Sequence, residues 1–137
     1  MPETVVRRHG TRVLVCEPDG PPLRTDRDAV EIVGQAWDHG VGTVVIPVAR
    51  LGADFFRLRT RVAGEIVQKF VTYKIRLVIV GAPPPDAMES DAWRAFVAES
   101  NRGGQVWFVP TLEDLDARLE RAQEVEPPGT GDGAGEP

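Results

Sequence analysis

Apolar positions change period several times along this chain, and each change marks an element. Val5-Val6-Arg7-Arg8 and Arg12-Val13-Leu14-Val15-Cys16 flank His9-Gly10-Thr11, the pattern of a β-hairpin with a glycine-bearing turn. Pro18-Asp19-Gly20-Pro21-Pro22 reads as a loop. The period then becomes helical, with Ala29, Ile32, Val33, Ala36 and Trp37 on one face. Thr25 with Asp28 three residues on predicts a box-like N-terminal cap, and Gly40 or Gly42 ends the helix. Thr43-Val44-Val45-Ile46 is β-branched and continuously apolar, as suits a strand buried on both faces, and Pro47 closes it. From Arg50 to Arg59 the pattern is mixed, a short helical turn plus loop. A helix is predicted over Val62 to Tyr73, with Ile66, Val67, Phe70 and Val71 inward and Glu65, Lys69 and Tyr73 on another side. Ile75 to Val80 is a second buried strand. Gly81 and Pro83-Pro84-Pro85 form the next loop, and Asp86 or Ser90 caps a helix carrying Met88, Trp93, Phe96 and Val97. Asn101-Arg102-Gly103-Gly104 stops that helix, Val106 to Val109 is the last strand, and Thr111 caps a final helix with Leu112, Leu115 and Leu119 inward.

The order is β-β-α-β-α-β-α-β-α. Alternating strands and helices predict an α/β fold: one mostly parallel five-stranded sheet, an antiparallel edge strand from the hairpin, and helices on both faces. At 137 residues the chain is one domain by length. The domain is expected over 1–123. From Pro127 onward seven of eleven residues are Gly or Pro and none is Lys or Arg, so 124–137 reads as a disordered acidic tail.

Charge changes this picture at one place. The net charge is −5, yet from Arg57 to Arg76 there are six Lys/Arg and one acid, a local +5. The remainder therefore sums to −10, which opposes nucleic-acid binding. The single cysteine, Cys16, excludes an internal disulfide and reads as a buried thiol. No apolar run suits a signal peptide or a membrane span, so a cytoplasmic location is expected.

Arg57-Leu58-Arg59-Thr60, Ala63-Gly64-Glu65-Ile66, Gln68-Lys69-Phe70, Tyr73, Val78-Ile79-Val80-Gly81 and Glu99-Ser100-Asn101-Arg102-Gly103 together resemble a bacterial family of unknown function, domain of unknown function 4180. The resemblance runs from about Arg12 to Leu119. It implies glycine where Arg61 stands and asparagine where Thr72 stands, and it implies no activity. The order of elements is also similar to that of STAS domains, the anti-sigma factor antagonist type. Those domains carry a phosphorylatable Ser/Thr at the start of the second helix, where Thr60 lies here. Their Asp-Ser-Ser/Thr-Gly-Leu-Gly loop is absent.

Candidate chemistry concentrates in the same stretch. A helix start with free N–H groups, a positive dipole end and the forks of Arg57, Arg59 and Arg61 beside Thr60 suits an anion. Gly64 leaves room for a ligand or a backbone to approach. The plainer reading makes Thr60 a helix cap, the arginines solvated and Gly64 a packing contact. Phosphate on Thr60 would stabilise the helix start. Glu65, Tyr73 and Asn101 are the acid–base candidates if the two helices bring them together, with Gln68 beside them and Arg102 as a further anion-binding candidate. Otherwise Asn101 and Arg102 satisfy loop carbonyls and Glu65 pairs with Lys69. His9 and His39 lack metal-ligand spacing, so no metal is expected. No Gly-x-Ser-x-Gly, Walker or Gly-x-Gly-x-x-Gly loop is present, so no cofactor is expected. Trp37, Trp93 and Trp107 read as core.

The reading favoured by the sequence is a non-catalytic binding or regulatory module. Its basic loop-helix would meet an acidic protein partner, a second copy of the chain in a homo-oligomer, or a small anionic ligand. The alternative is a small enzyme acting on a polar metabolite at the carboxyl edge of the sheet, where such folds bind ligands.

Overall fold

Gly10 takes φ 79°, which a tight reversal requires, and lets β1 (Glu3–Arg8) fold back on β2 (Thr11–Cys16) with Val6 opposite Val13. The computed structural model describes residues 3–8 and 10–125. His9 and the expected tail from residue 126 lie outside the described residues. The later strands β3 (Thr43–Pro47), β4 (Arg76–Val80) and β5 (Val106–Val109) join β2 in parallel, giving the order β1-β2-β3-β4-β5. The mostly parallel sheet with its antiparallel edge is as the pattern of apolar runs predicts.

The helices are α1 (Asp26–Asp38), α2 (Val62–Thr72), α3 (Pro85–Met88), α4 (Asp91–Arg102) and α5 (Leu112–Val125). Thr25 caps α1 reciprocally: its hydroxyl accepts from the Asp28 N–H at 3.3 Å, and the Asp28 carboxylate accepts from the Thr25 N–H at 3.1 Å. The N–H groups of Arg24 and then Thr25 hold the Asp28 carboxyl below the usual carboxylate range. Gly40 at φ 67° closes α1, with Val41 N–H returning to the Ala36 carbonyl at 3.0 Å. α2 ends the same way, but Lys74 at φ 61° occupies the left-handed position. There Ile75 N–H reaches the Phe70 carbonyl at 2.9 Å.

Successive right-handed crossovers that each step one strand in the same direction put their helices on one face. The core divides accordingly. Leu14, Val44, Ile46, Leu77 and Ile79 pack with Ala29, Ile32, Ile66, Phe70 and Trp93 from α1, α2 and α4. Their alternates Val13, Val45, Val78, Trp107 and Val109 pack with Leu115 and Leu119 of α5 alone. Both sides of each central strand are buried, which is why the strands read as unbroken apolar runs. α5 is tied at its flanks. Asp116 accepts two hydrogen bonds from Arg8 of β1, at 2.9 and 2.7 Å, and this contact raises the Arg8 pKa. Arg118 lies over the Trp107 ring at 4.5 Å and donates to the Asn101 carbonyl at 2.6 Å.

Several expectations are corrected. Trp37 is 61% exposed, because its position lies on the flank of α1 rather than under it. Met88 is 53% exposed and belongs to the short α3, not to the helix that carries Trp93. Ser90, not Asp86, caps α4, accepting from the Trp93 N–H at 3.2 Å. Val67 and Val71 are half-buried flank residues of α2.

Candidate functional site

The basic stretch is built on a ladder of three 3-10 turns, Val48–Arg50, Ala53–Phe56 and Leu58–Thr60, that leads from β3 to α2. Its base is Arg50, which is 3% exposed. The Arg50 guanidinium donates to the carbonyls of Pro21 at 2.6 Å and Glu17 at 3.0 Å, and its own carbonyl accepts from Leu23 N–H at 2.8 Å. The charge is thus spread over carbonyl dipoles of the loop after β2, which it pins to the ladder. The middle turn turns Phe55 and Phe56 inward against Trp93, with ring centroids 6.0 and 5.2 Å away. With the phenyl rings fixed inside, Arg57 and Arg59 project outward and are exposed.

Thr60 is not the cap residue of α2. Its hydroxyl lies 2.7 Å from the carbonyls of both Asp54 and Arg57, donating to one of them at a time, and accepts from Val62 N–H at 3.3 Å. Arg61 takes the cap position in a left-handed conformation, φ 69°, with no side-chain cap bond. A glycine holds that geometry without strain, in keeping with the glycine that the family resemblance implies there. A Cβ added at Gly64 would meet nothing within 4 Å, so Gly64 faces open space rather than a packed neighbour.

The ladder separates the arginines. Arg57 and Arg59 line a cleft of about 450 Å³ whose opposite wall is Pro84, Asp86, Ala87 and Ser90 from the α3–α4 turn. Arg61, Gly64, Glu65, Gln68 and Lys69 line a broader depression of about 840 Å³ together with Asp26. The first holds two guanidiniums against one carboxylate; the second has its charges balanced. Arg76 lies elsewhere, 4.3 Å over Trp107 with its Nε donating to the Gly104 carbonyl. Desolvation first, then Arg121 and Arg76, lowers the Arg118 pKa on that ring. The basic island of the sequence is therefore not one patch in space.

Glu65, Tyr73 and Asn101 do not share a cavity. Glu65 is exposed in the depression and forms no ion pair with Lys69, while Gln68 donates to Thr72 at 3.1 Å. Tyr73 stacks edge-on against Trp37 at 5.9 Å. Asn101 is engaged with the β5 backbone: its Oδ1 accepts from Phe108 N–H at 2.7 Å and its Nδ2 donates to the Phe108 carbonyl at 3.2 Å. Arg102 pairs with Glu99 at 2.6 Å on the surface. Past the carboxyl ends of β4 and β5 lies a cavity of about 150 Å³ lined by Val48, Phe56, Trp93, Val97 and Phe108, with no ionisable side chain among its lining residues. Among the described residues no three His, Cys, Asp or Glu cluster as a metal site, and no helix is long and apolar enough to cross a membrane.

Residues 8–119 match the family described as Domain of unknown function (DUF4180). The chain belongs to that family. The DUF4180 match spans the sheet from the end of β1 and reaches Leu119 of α5, so both helical layers fall inside it. No curated protein and no solved structure matches the chain significantly. Sequence reasoning found the DUF4180 segments but missed Arg50 and Asp86. Nothing in the local pattern marks an arginine between Ala49 and Leu51 as buried, and Asp86 gains its place only through the fold.

Proposed function

We propose that this DUF4180 chain is a non-catalytic binding module that takes an acidic partner or anionic ligand in the cleft beneath Arg57 and Arg59. One observation carries the reading: both guanidiniums are exposed, neither has a hydrogen-bond or ion-pair partner among the described residues, and both stand on a ladder fixed by Phe55, Phe56 and Arg50. Unpaired forks carried on a held backbone suit carboxylate or phosphate, which each guanidinium can meet with two parallel hydrogen bonds. Asp86 on the facing wall favours ligands that also donate a hydrogen bond.

A STAS-like switch at Thr60 has less support. The hydroxyl is already held against two carbonyls, where phosphoryl oxygens would be repelled. The enzyme alternative has less support, because Glu65, Tyr73 and Asn101 do not share a cavity and the small cavity past β4 and β5 is apolar. The test is titration of the labelled protein with inorganic phosphate and with an oligoglutamate peptide, followed by NMR. Shifts at Arg57, Arg59 and Ser90 that vanish in Arg57→Ala/Arg59→Ala support the reading. Equal binding by that variant sinks it.

A further inference from the structure

α1 and α2 lie side by side on the crowded face of the sheet and run in the same direction, since each returns the chain from the carboxyl end of one strand to the amino end of the next. Their carboxyl ends are level, because Trp37 meets Tyr73. Between them runs an exposed apolar seam: Val30 at 39%, Trp37 at 61% and Tyr73 at 39%. A tryptophan left this open on a well-packed domain asks for a cover.

The charges on either side of the seam are sorted. α1 presents Asp26, Glu31 and Asp38; α2 and its flanks present Arg61, Lys69 and Lys74. The exceptions are Arg27 on α1 and Glu65 on α2, and they too are of opposite sign. None of these eight side chains has a hydrogen-bond or ion-pair partner within the described residues. A two-fold axis parallel to the helices sets α1 of one copy over α2 of the other at the same height. Asp26 then faces the region of Arg61, Arg27 that of Glu65, Glu31 that of Lys69 and Asp38 that of Lys74. A two-fold axis across the helices would set α1 on α1, acid against acid.

We infer that the α1–α2 face is a self-complementary docking surface for a second copy of this chain, closed around Trp37 and Tyr73 with the axis along the helices. The arrangement is isologous, so each contact occurs twice. Charge complementarity selects the register, and the aromatic seam supplies the buried centre. This surface is separate from the Arg57–Arg59 cleft.

Charge reversal with mixing tests it. By sedimentation velocity from ~10 µM to ~1 mM at low salt, the wild type is expected to shift from monomer to dimer. Glu31→Lys alone and Lys69→Glu alone each place like charges together twice, and each is expected to weaken the dimer at least about tenfold. Mixing those two variants restores both opposite-charge contacts at once, so the mixture is expected to dimerise where neither variant does. Trp37→Ala is expected to abolish the dimer over the same range, and Arg57→Ala/Arg59→Ala to leave it unchanged. A wild type that stays monomeric, a dimer indifferent to either reversal or to Trp37→Ala, a mixture no more associated than its components, or a dimer lost with the cleft arginines overturns the inference. Circular dichroism of each variant confirms that the surface substitutions left the fold intact.

Discussion

The two faces of the sheet are built from the same strands and covered very differently. One carries α1, α2 and α4, with Trp93 at the centre of Phe55, Phe56, Phe96 and Phe108, at ring-centroid distances of 5.2 to 6.0 Å. The other is covered by α5 alone, through Leu115 and Leu119. The asymmetry follows from topology. Each crossover helix must return over the same face, and only the last helix, with no further strand to reach, is free to take the other. One face is thus held by connections at both ends of every helix. The opposite face depends on a single helix tied by Asp116 to β1 and by Arg118 to Trp107 of β5 and the end of α4. The candidate cleft belongs to the first kind of structure, which is why the backbone that carries its exposed arginines is held.

The largest effect is expected at the aromatic centre. Trp93→Ala should cost about 3–5 kcal/mol in urea unfolding and loosen the ladder beneath Arg57. A loss under about 1 kcal/mol would mean that the other rings close the gap and that the crowded face has no hub. Leu115→Ala follows, at about 2–4 kcal/mol. Here the comparison also predicts a difference in kind. Amide exchange should show α5 opening as a unit before α1 and α2, and Leu115→Ala should widen that gap. Uniform exchange across all helices would remove the distinction between the faces.

Much of the first face was legible in the chain itself. The Thr25–Asp28 cap, the buried centres of the apolar faces of α1 and α2 (Ala29, Ile32, Val33 and Ala36; Ile66 and Phe70) and the unbroken runs of β3 and β4 are local signals that tertiary structure did not override. What was not legible depends on neighbours. Trp37 counts as apolar in any periodic reading, and only the position of Tyr73 shows that it lies across a seam. Arg57, Arg59 and Arg61 look like one patch along the chain, yet a left-handed residue and a 3-10 turn send them to different surfaces. The same holds for Asp86, which is distant in sequence from the cleft it faces, and for Arg50, whose acceptors are carbonyls of a loop some thirty residues earlier.

Smaller changes on the crowded face test how far its connections over-determine it. The ends of α1 and α2 share one closing motif, with Gly40 in the first and Lys74 in the second. Lys74→Gly should therefore raise stability by up to about 1 kcal/mol, by removing a side chain from a left-handed position. Gly40→Lys should do the reverse. Asp28→Asn is expected to have the smallest effect, about 0.5 kcal/mol near neutral pH. Because the folded protein lowers the Asp28 pKa, the carboxylate's contribution is present above the ordinary carboxylate pKa and is lost as pH falls through the lower folded value. Thermal midpoints of the wild type and Asp28→Asn should begin to converge below about pH 4 and meet below the folded value. A gap that persists at pH 2 would assign the cap to shape rather than charge.

The hydrogen bonds of Asn101 have a consequence beyond the local geometry. β5 is the last strand of the sheet, and its residues alternate between two directions. The carbonyls of Gln105 and Val109 face β4, where Leu77 and Gly81 donate to them, so Phe108 points its N–H and carbonyl outward. An outward strand edge with apolar neighbours is a template onto which any extended chain can add, including a partly folded copy of the same protein. The Asn101 side chain occupies both of those groups with one amide, as an added strand would. It thereby denies the position to strangers and acts as a guard of solubility at the open rim of the sheet.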